Sequence, residues 1–355
     1  MDTARLDALL AATTRLGASA LHLVPGRAPS LRVQRRFVEG DETAVEVADV
    51  EELTRDMMFS DHRELLEKQG FVEVLYVSRS GARYRATVAL NNGVTSLVLR
   101  PVPAESPQLA VLEMPEQVGA FTRCRQGFVA VGGFFGAGKS TTLAAIVDAC
   151  NGDGGRHIVS LEDSIQVVHQ NSASLLHQRE IGRHVVSAAE GVRQAVAFGA
   201  DVIVLSEIRD FQTLDAVLTA SESGCLVFAG VEAGSIVGVL VAMTSLAAVE
   251  DRPRMRTRLA KSLRGVTAQS LLHRSHKDGR VPVVEVLVVS PAVRTALRAG
   301  RLQDLATIMR RCRGLGMQTT DIALRGLLNR HAVTEEEALL HANNREEVLT
   351  RHPVR

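Results

Sequence analysis

The sequence predicts an α/β protein in two parts: a small α+β domain, then a larger domain on a mostly parallel sheet. Three observations carry this expectation. From Phe128 onward, strand-like apolar runs alternate with helical stretches, the pattern of a parallel sheet with helices on its faces. Ahead of it, helical segments and three strand-like runs make a smaller unit. Between them stand Pro101, Pro103, Pro107 and Pro115. Proline fixes φ and removes a backbone donor, so this stretch reads as a linker. The predicted boundaries are residues 1–100, a linker over 101–115, and 116–355.

Taken in order, residues 4–16 carry Leu6, Leu9, Leu10, Thr13 and Leu16 at helical spacing, and Gly17 stops that helix. Residues 21–24 read as a short strand, ended by Pro25-Gly26. Residues 50–68 read as one or two helices with Leu53, Met57, Met58, Leu65 and Leu66 inward. Strands are predicted over 71–77, 83–89 and 95–100, parted by Ser-Gly and Asn-Asn-Gly turns. The larger part has strands over 128–131, 158–161, 202–205 and 226–231. Beyond 252 it reads as mainly helical apart from 281–289. The stretch 226–249 is almost uncharged and long enough to span a bilayer. Glu232 and three glycines favour a buried strand followed by a buried helix instead.

Bulk properties narrow the function classes. A chain of 355 residues with 46% apolar content suits two domains and a sizeable core. The net charge of +1 and 3% aromatic content, with no Trp, give no polyanion partner and no stacking platform, so nucleic acid is not expected. Cys124, Cys150, Cys225 and Cys312 are far apart and form no CxxC pair, which fits a reducing compartment. His273 and His276 have no Cys or acidic residue beside them to complete a metal site. The first residues carry charge and an amphipathic helix rather than a signal peptide.

Three motifs carry chemistry. Gly133-Phe134-Phe135-Gly136-Ala137-Gly138-Lys139-Ser140 is a P-loop pattern between an apolar strand and a helix. Gly133, Gly136 and Gly138 leave room for backbone N–H groups to surround a polyphosphate, with Ala137 between them. Lys139 brings a charge to the β- and γ-phosphates, Ser140 a hydroxyl to Mg²⁺, and Thr141 continues the helix start that faces the anion. The second motif ends a strand at Glu162-Asp163, where a carboxylate can orient or deprotonate water. The third ends a strand at Glu207, with Arg209 and Asp210 after it, and suits Mg²⁺ held through water.

These residues resemble the PilT-like type IV pilus retraction ATPases of the secretion and pilus ATPase superfamily. The resemblance runs from about residue 4 to 350. Gly17–Leu23, Gly138–Ala145, Glu162–Ile165 with His169, Gln178–Glu180, Glu207–Asp210, Pro291–Leu297 and Leu315–Thr319 carry it. It implies a PAS-like N-terminal domain before a RecA-like ATPase domain, and a hexameric ring fuelled by ATP and Mg²⁺. Glu162 falls on the family's catalytic glutamate and Glu207 on its Walker B glutamate. Arg85 and Arg100 match N-terminal-domain arginines that approach the phosphates. It further implies a cytoplasmic motor at the inner membrane, contacting a pilus platform protein. The runner-up is a degenerate paralogue that binds ATP and regulates or co-assembles with an active retraction ATPase.

The chain departs from the family at several positions. Cys225 and Glu232 stand where the family has histidines, and Ala233-Gly234 where it has Thr or Ser. Phe134-Phe135 replaces Pro-Thr, and Ala197 and Gly93 replace arginines. A carboxylate beside a triphosphate adds like charge, so weaker hydrolysis is expected.

Overall fold

The chain folds into two units, which the computed structural model describes over residues 3–33, 36–39, 43–102, 106–276 and 279–350. The first unit covers 1–105 together with 164–168, and the second covers 106–163 and 169–355.

The first unit runs α1 (Thr3–Arg15), β1 (Ala20–Leu23), β2 (Ser30–Val33), β3 (Arg36–Glu39), α2 (Val47–Met57), α3 (Ser60–Gln69), β4 (Phe71–Val77), β5 (Arg83–Asn91) and β6 (Val94–Val102). Its strands form one antiparallel sheet in the order β3-β2-β1-β6-β5-β4. Alternation sets the core. Tyr84, Ala86 and Val88 of β5 join Leu97 and Leu99 of β6 and Leu6, Leu9 and Leu10 of α1, while Arg85 and Thr87 point to the opposite face. Strands β2 and β3 are absent from the sequence expectation, because four-residue runs carrying Arg32, Arg36 and Glu39 show no apolar alternation. The linker expectation also needs correcting at its start. β6 continues through Pro101, which lies opposite Tyr84, while pairing with β1 stops at Leu99. β6 is therefore an edge at Pro101, where a missing N–H is tolerated. Residues 103–105 lie outside the described residues. Gly93 has a turn role: Asn92 and Gly93 take φ 51 and 78 between the paired Asn91 and Val94. An Asn-Gly pair is the favoured two-residue hairpin connection.

The second unit runs α4 (Glu116–Thr122), β7 (Gly127–Gly132), α5 (Lys139–Asp153), β8 (His157–Glu162), β9 (Leu175–Glu180), α6 (Ala188–Ala197), β10 (Val202–Leu205), α7 (Phe211–Glu222), β11 (Leu226–Val231) and α8 (Ile236–Ser245). It continues with α9 (Arg252–Ser262), β12 (Leu263–His273), β13 (Arg280–Val288), α10 (Pro291–Ala299), α11 (Leu305–Arg311), α12 (Thr320–Asn329), α13 (Glu335–Leu340) and α14 (Arg345–Leu349). The sheet order is β13-β12-β7-β11-β10-β8-β9, parallel throughout except for β13. β7 and β11 are buried along their whole length, since both sheet faces are covered. Val129, Val131, Ile158, Val204 and Phe228 pack against α4 and α5. Phe128, Ala130, Val159, Ile203 and Val227 pack against α6 to α10. Full burial of one such Phe contributes about 2–3 kcal/mol, so this two-sided core holds the strand ends firmly.

Two strands overturn the sequence expectation here. β12 occupies a stretch read as helical, because its apolar residues follow α9 without a turn signal and are buried on both faces. β9 extends the sheet beyond β8 although its residues Leu175–Glu180 are largely polar, an edge-strand composition. The apolar stretch 226–249 resolves into β11 and the ten-residue α8. Among the described residues no helix is long and apolar enough to cross a membrane.

Candidate active site

Parallel strands deliver their following loops to one edge of the sheet. Gly132 ends β7 and Val231, its register partner, ends β11; Leu205 ends β10 beside Leu161 of β8. The P-loop, Glu162-Asp163, Ser206-Glu207 and Glu232 therefore all leave this carboxyl edge. The edge is stitched together by backbone: Ser206 N–H donates to Leu161 O at 2.9 Å and Ile208 N–H to Gly230 O at 2.9 Å. Gly230 is obligatory there, since a Cβ would stand 2.0 Å from Ser206 O.

The P-loop follows β7 and opens α5. Gly136 and Gly138 take φ 80 and 89, in the left-handed region that glycine alone adopts freely. A Cβ on Gly133 would stand 2.9 Å from the Ala137 Cβ and 3.0 Å from Gln269 O. Lys139 crosses the loop, its ammonium donating to Gly133 O at 2.5 Å. Ser140 and Thr141 are exposed on the first turn of α5. Glycine-lined backbone, one ammonium and a helix N-terminus fit a polyphosphate. Ser140 offers a hydroxyl and Glu207 a carboxylate to a magnesium ion at the same edge.

The acids are held by neighbours. Glu162 Oε1 accepts from Ser160 Oγ at 2.8 Å and from Gln178 Nε2 at 2.9 Å. Gln178 Oε1 in turn accepts from His169 N at 2.9 Å, so β9 anchors the glutamate end of β8. Burial holds the His169 imidazole below its ordinary pKa. Arg209 forms a two-pronged pair with Asp163 at 2.9 and 2.7 Å and reaches Glu207 at 3.1 Å. Those carboxylates, the Asp163 hydrogen bonds foremost, raise the Arg209 pKa. The pairs are half exposed and contribute at most about 1 kcal/mol each, so their use is orientation of Glu207.

Arg85 and Arg100 lie opposite each other in the β5–β6 register, on the sheet face away from the first unit's core. Arg85 approaches Glu73 at 3.9 Å, and Arg100 donates to Thr87 Oγ1 at 3.0 Å.

The two positions where the family resemblance implies histidines are far apart, and only Glu232 leaves the P-loop edge. Cys225 precedes β11 at the opposite edge of the sheet, buried, with its thiol donating to Ala200 O at 3.1 Å. Burial pushes that thiol above its ordinary pKa. Glu232 follows β11 and is exposed. The six residues of β11 lie between them and hold them about 20 Å apart. A cavity of about 680 Å³ lined by Arg125, Arg156, Asp201 and Gly224 also lies at the Cys225 edge and contains no P-loop residue. The glycine cradle, not this open hollow, has the chemistry for a nucleotide.

Ser160, Gln178 and Gln269 join the site without having been assigned a role from sequence. Gln178 lies in a stretch that carried the family resemblance, whereas Gln269 had no signal once its strand was read as helix.

A P-loop on the carboxyl edge of a doubly covered parallel sheet, with two strand-end glutamates, defines a RecA-like P-loop NTPase domain. The Type II/IV secretion system protein model matches residues 85–336. The chain belongs to that family, as a divergent PilT-like secretion ATPase. It is 31% identical over 339 residues to the type IV pilus retraction ATPase PilT of Pseudomonas aeruginosa, covering 93% of this chain and 96% of that protein. It is 28% identical to the type IV pilus ATPase PilU of the same organism, covering 95% of this chain and 88% of PilU. A crystal structure of the pilus retraction motor PilT with bound ADP superposes with a TM-score of 0.87 at 29% identity, covering 95% of this chain and 97% of the other.

Proposed function

We propose that this chain is a MgATP-hydrolysing motor subunit that powers type IV pilus retraction as a homo-hexamer. The observation that carries the reading is the gathering of Lys139, Glu162 and Glu207 on one sheet edge, with Gln178 and Arg209 fixing the two acids. In this reading Lys139 and the P-loop amides hold the phosphates, and Ser140 and Glu207 support Mg²⁺. Glu162 orients and deprotonates the attacking water. Arg85 and Arg100 stabilise charge on the transferring phosphoryl group. Force then comes from the difference in nucleotide affinity between open and closed states. The likeness to PilT along nearly the whole chain supports the retraction role, and with it a cytoplasmic place beneath an inner-membrane platform protein at the pilus base.

The exposed carboxylate of Glu232 beside the P-loop favours a second reading, a weakly hydrolysing paralogue that binds ATP and works with an active retraction ATPase. Expression in a piliated bacterium lacking its own retraction ATPases tests both. Restored twitching that Lys139→Ala abolishes supports the motor. Twitching that returns only alongside an active retraction ATPase supports the second reading. No effect in either background contradicts both.

A further inference from the structure

We infer that Gln269 is a positioning residue of the P-loop, whose buried amide orients the Ala137–Gly138 peptide so that the Gly138 N–H faces a bound polyphosphate. The inference rests on the nucleotide-site reading above. Gln269 belongs to β12, one residue beyond the Ala268–Gly132 register pair, and so runs alongside the start of the P-loop. Only 3% of it is exposed, and both ends of its amide are used. Nε2 donates to Ala137 O at 2.8 Å, and Oε1 accepts from Thr142 Oγ1 at 2.9 Å. Thr142 is itself buried in the first turns of α5. One side chain therefore ties the loop to the helix it opens. The glycines meet the same residue: a Cβ on Gly133 would stand 3.0 Å from Gln269 O, and one on Gly138 would stand 3.2 Å from Gln269 Nε2.

The consequence follows from peptide geometry. All described peptides are trans, and in a planar trans peptide the C=O and the next N–H point in opposite directions. Holding Ala137 O toward Gln269 turns the Gly138 N–H away from it. Without the donor, that buried carbonyl lacks a partner, and the peptide gains by flipping toward water. A flipped peptide presents an oxygen where a phosphate needs a donor. Ground-state and transition-state phosphates use that donor alike, so its loss raises KM and leaves kcat nearly unchanged.

Binding of ADP and MgATP turnover by the purified full chain test this. Gln269→Glu keeps the side chain's length and an acceptor for Thr142 but removes the donor to Ala137 O; Gln269→Leu removes both contacts. Both are expected to weaken ADP binding about tenfold or more and to raise KM about as much, with kcat within about threefold. Thr142→Val, which spares the Ala137 contact, is expected to stay within about threefold of the unaltered chain in both. Should Gln269→Leu fail to fold, Gln269→Glu decides. ADP affinity within about twofold of the unaltered chain for Gln269→Glu, while Lys139→Ala abolishes binding, would overturn the inference. Absence of ADP binding by the unaltered chain would instead overturn the nucleotide-site reading and this inference with it.

Discussion

The ring of Phe134 lies directly over Gly234, so close that a Cβ there would stand 2.6 Å from Phe134 Cε2. Both residues depart from what the family resemblance implies, proline in the P-loop and Thr or Ser after β11; this chain has Phe134 and Gly234. They are complementary changes: the missing side chain at 234 is the seat of the ring at 134. Restoring Thr at 234 alone should push the ring off its seat and lower ATP turnover about fivefold, while adding Phe134→Pro should recover most of it. A double-mutant cycle should give a coupling on the order of 1 kcal/mol. Additive effects would show that the contact carries no energy.

Glu232 lies next to the P-loop because β11 neighbours β7. An exposed carboxylate there repels bound phosphates through a partly screened field. Glu232→Gln should tighten ATP binding by about 1 kcal/mol at low salt, with the gain shrinking as salt is added. Glu232→His should in addition raise kcat, because an imidazole can donate to the γ-phosphate. Unchanged turnover in Glu232→His would remove Glu232 as a cause of weak hydrolysis. Cys225→His should leave turnover unaltered, since that position lies at the far edge of the sheet.

Gln178 holds Glu162 from β9. Gln178→Leu keeps the bulk but removes the donor, so Glu162 loses one of the bonds that aim it. The expected result is a fall in kcat of about tenfold with KM little changed, the mark of an interaction used in the transition state. A rise in KM alone would assign Gln178 to substrate binding instead.

The thiols report burial. Burial pushes Cys150 up to about 12 from an ordinary 9.0. A folded-state pKa above the unfolded one means stability is fully present below pH 9 and falls as pH rises toward 12, because only the unfolded chain ionises there. Urea unfolding of Cys150→Ala should lack that component of the alkaline loss. In the folded chain Cys124 and Cys312, both half-buried, should react with a thiol reagent before Cys150 and Cys225. Equal reactivity of all four without denaturant would contradict the packing described.

The P-loop and the two strand-end glutamates were legible because each combines a local motif with an apolar strand, and strand direction brings all three to one edge. Gln269 was not legible. Its partners, Ala137 and Thr142, stand more than a hundred positions earlier, and the strand carrying it lacks a starting turn signal. Cys225 and Glu232 looked alike as missing histidines. The strand between them sends them to opposite edges, which periodicity does not reveal. Pro101 misled in the other direction, since a proline marks a break only where the strand has partners on both sides.

Steady-state ATP hydrolysis by the purified chain, with Lys139→Ala and Glu162→Gln beside it and nucleotide affinity measured in parallel, tests the central claim most directly. Turnover should be present in the unaltered chain. Lys139→Ala should lose binding, and Glu162→Gln should keep binding but fall by about a hundredfold or more in kcat. Turnover that survives Glu162→Gln, or tight ATP binding without any turnover in the unaltered chain, would contradict the account of this edge as a working hydrolytic site.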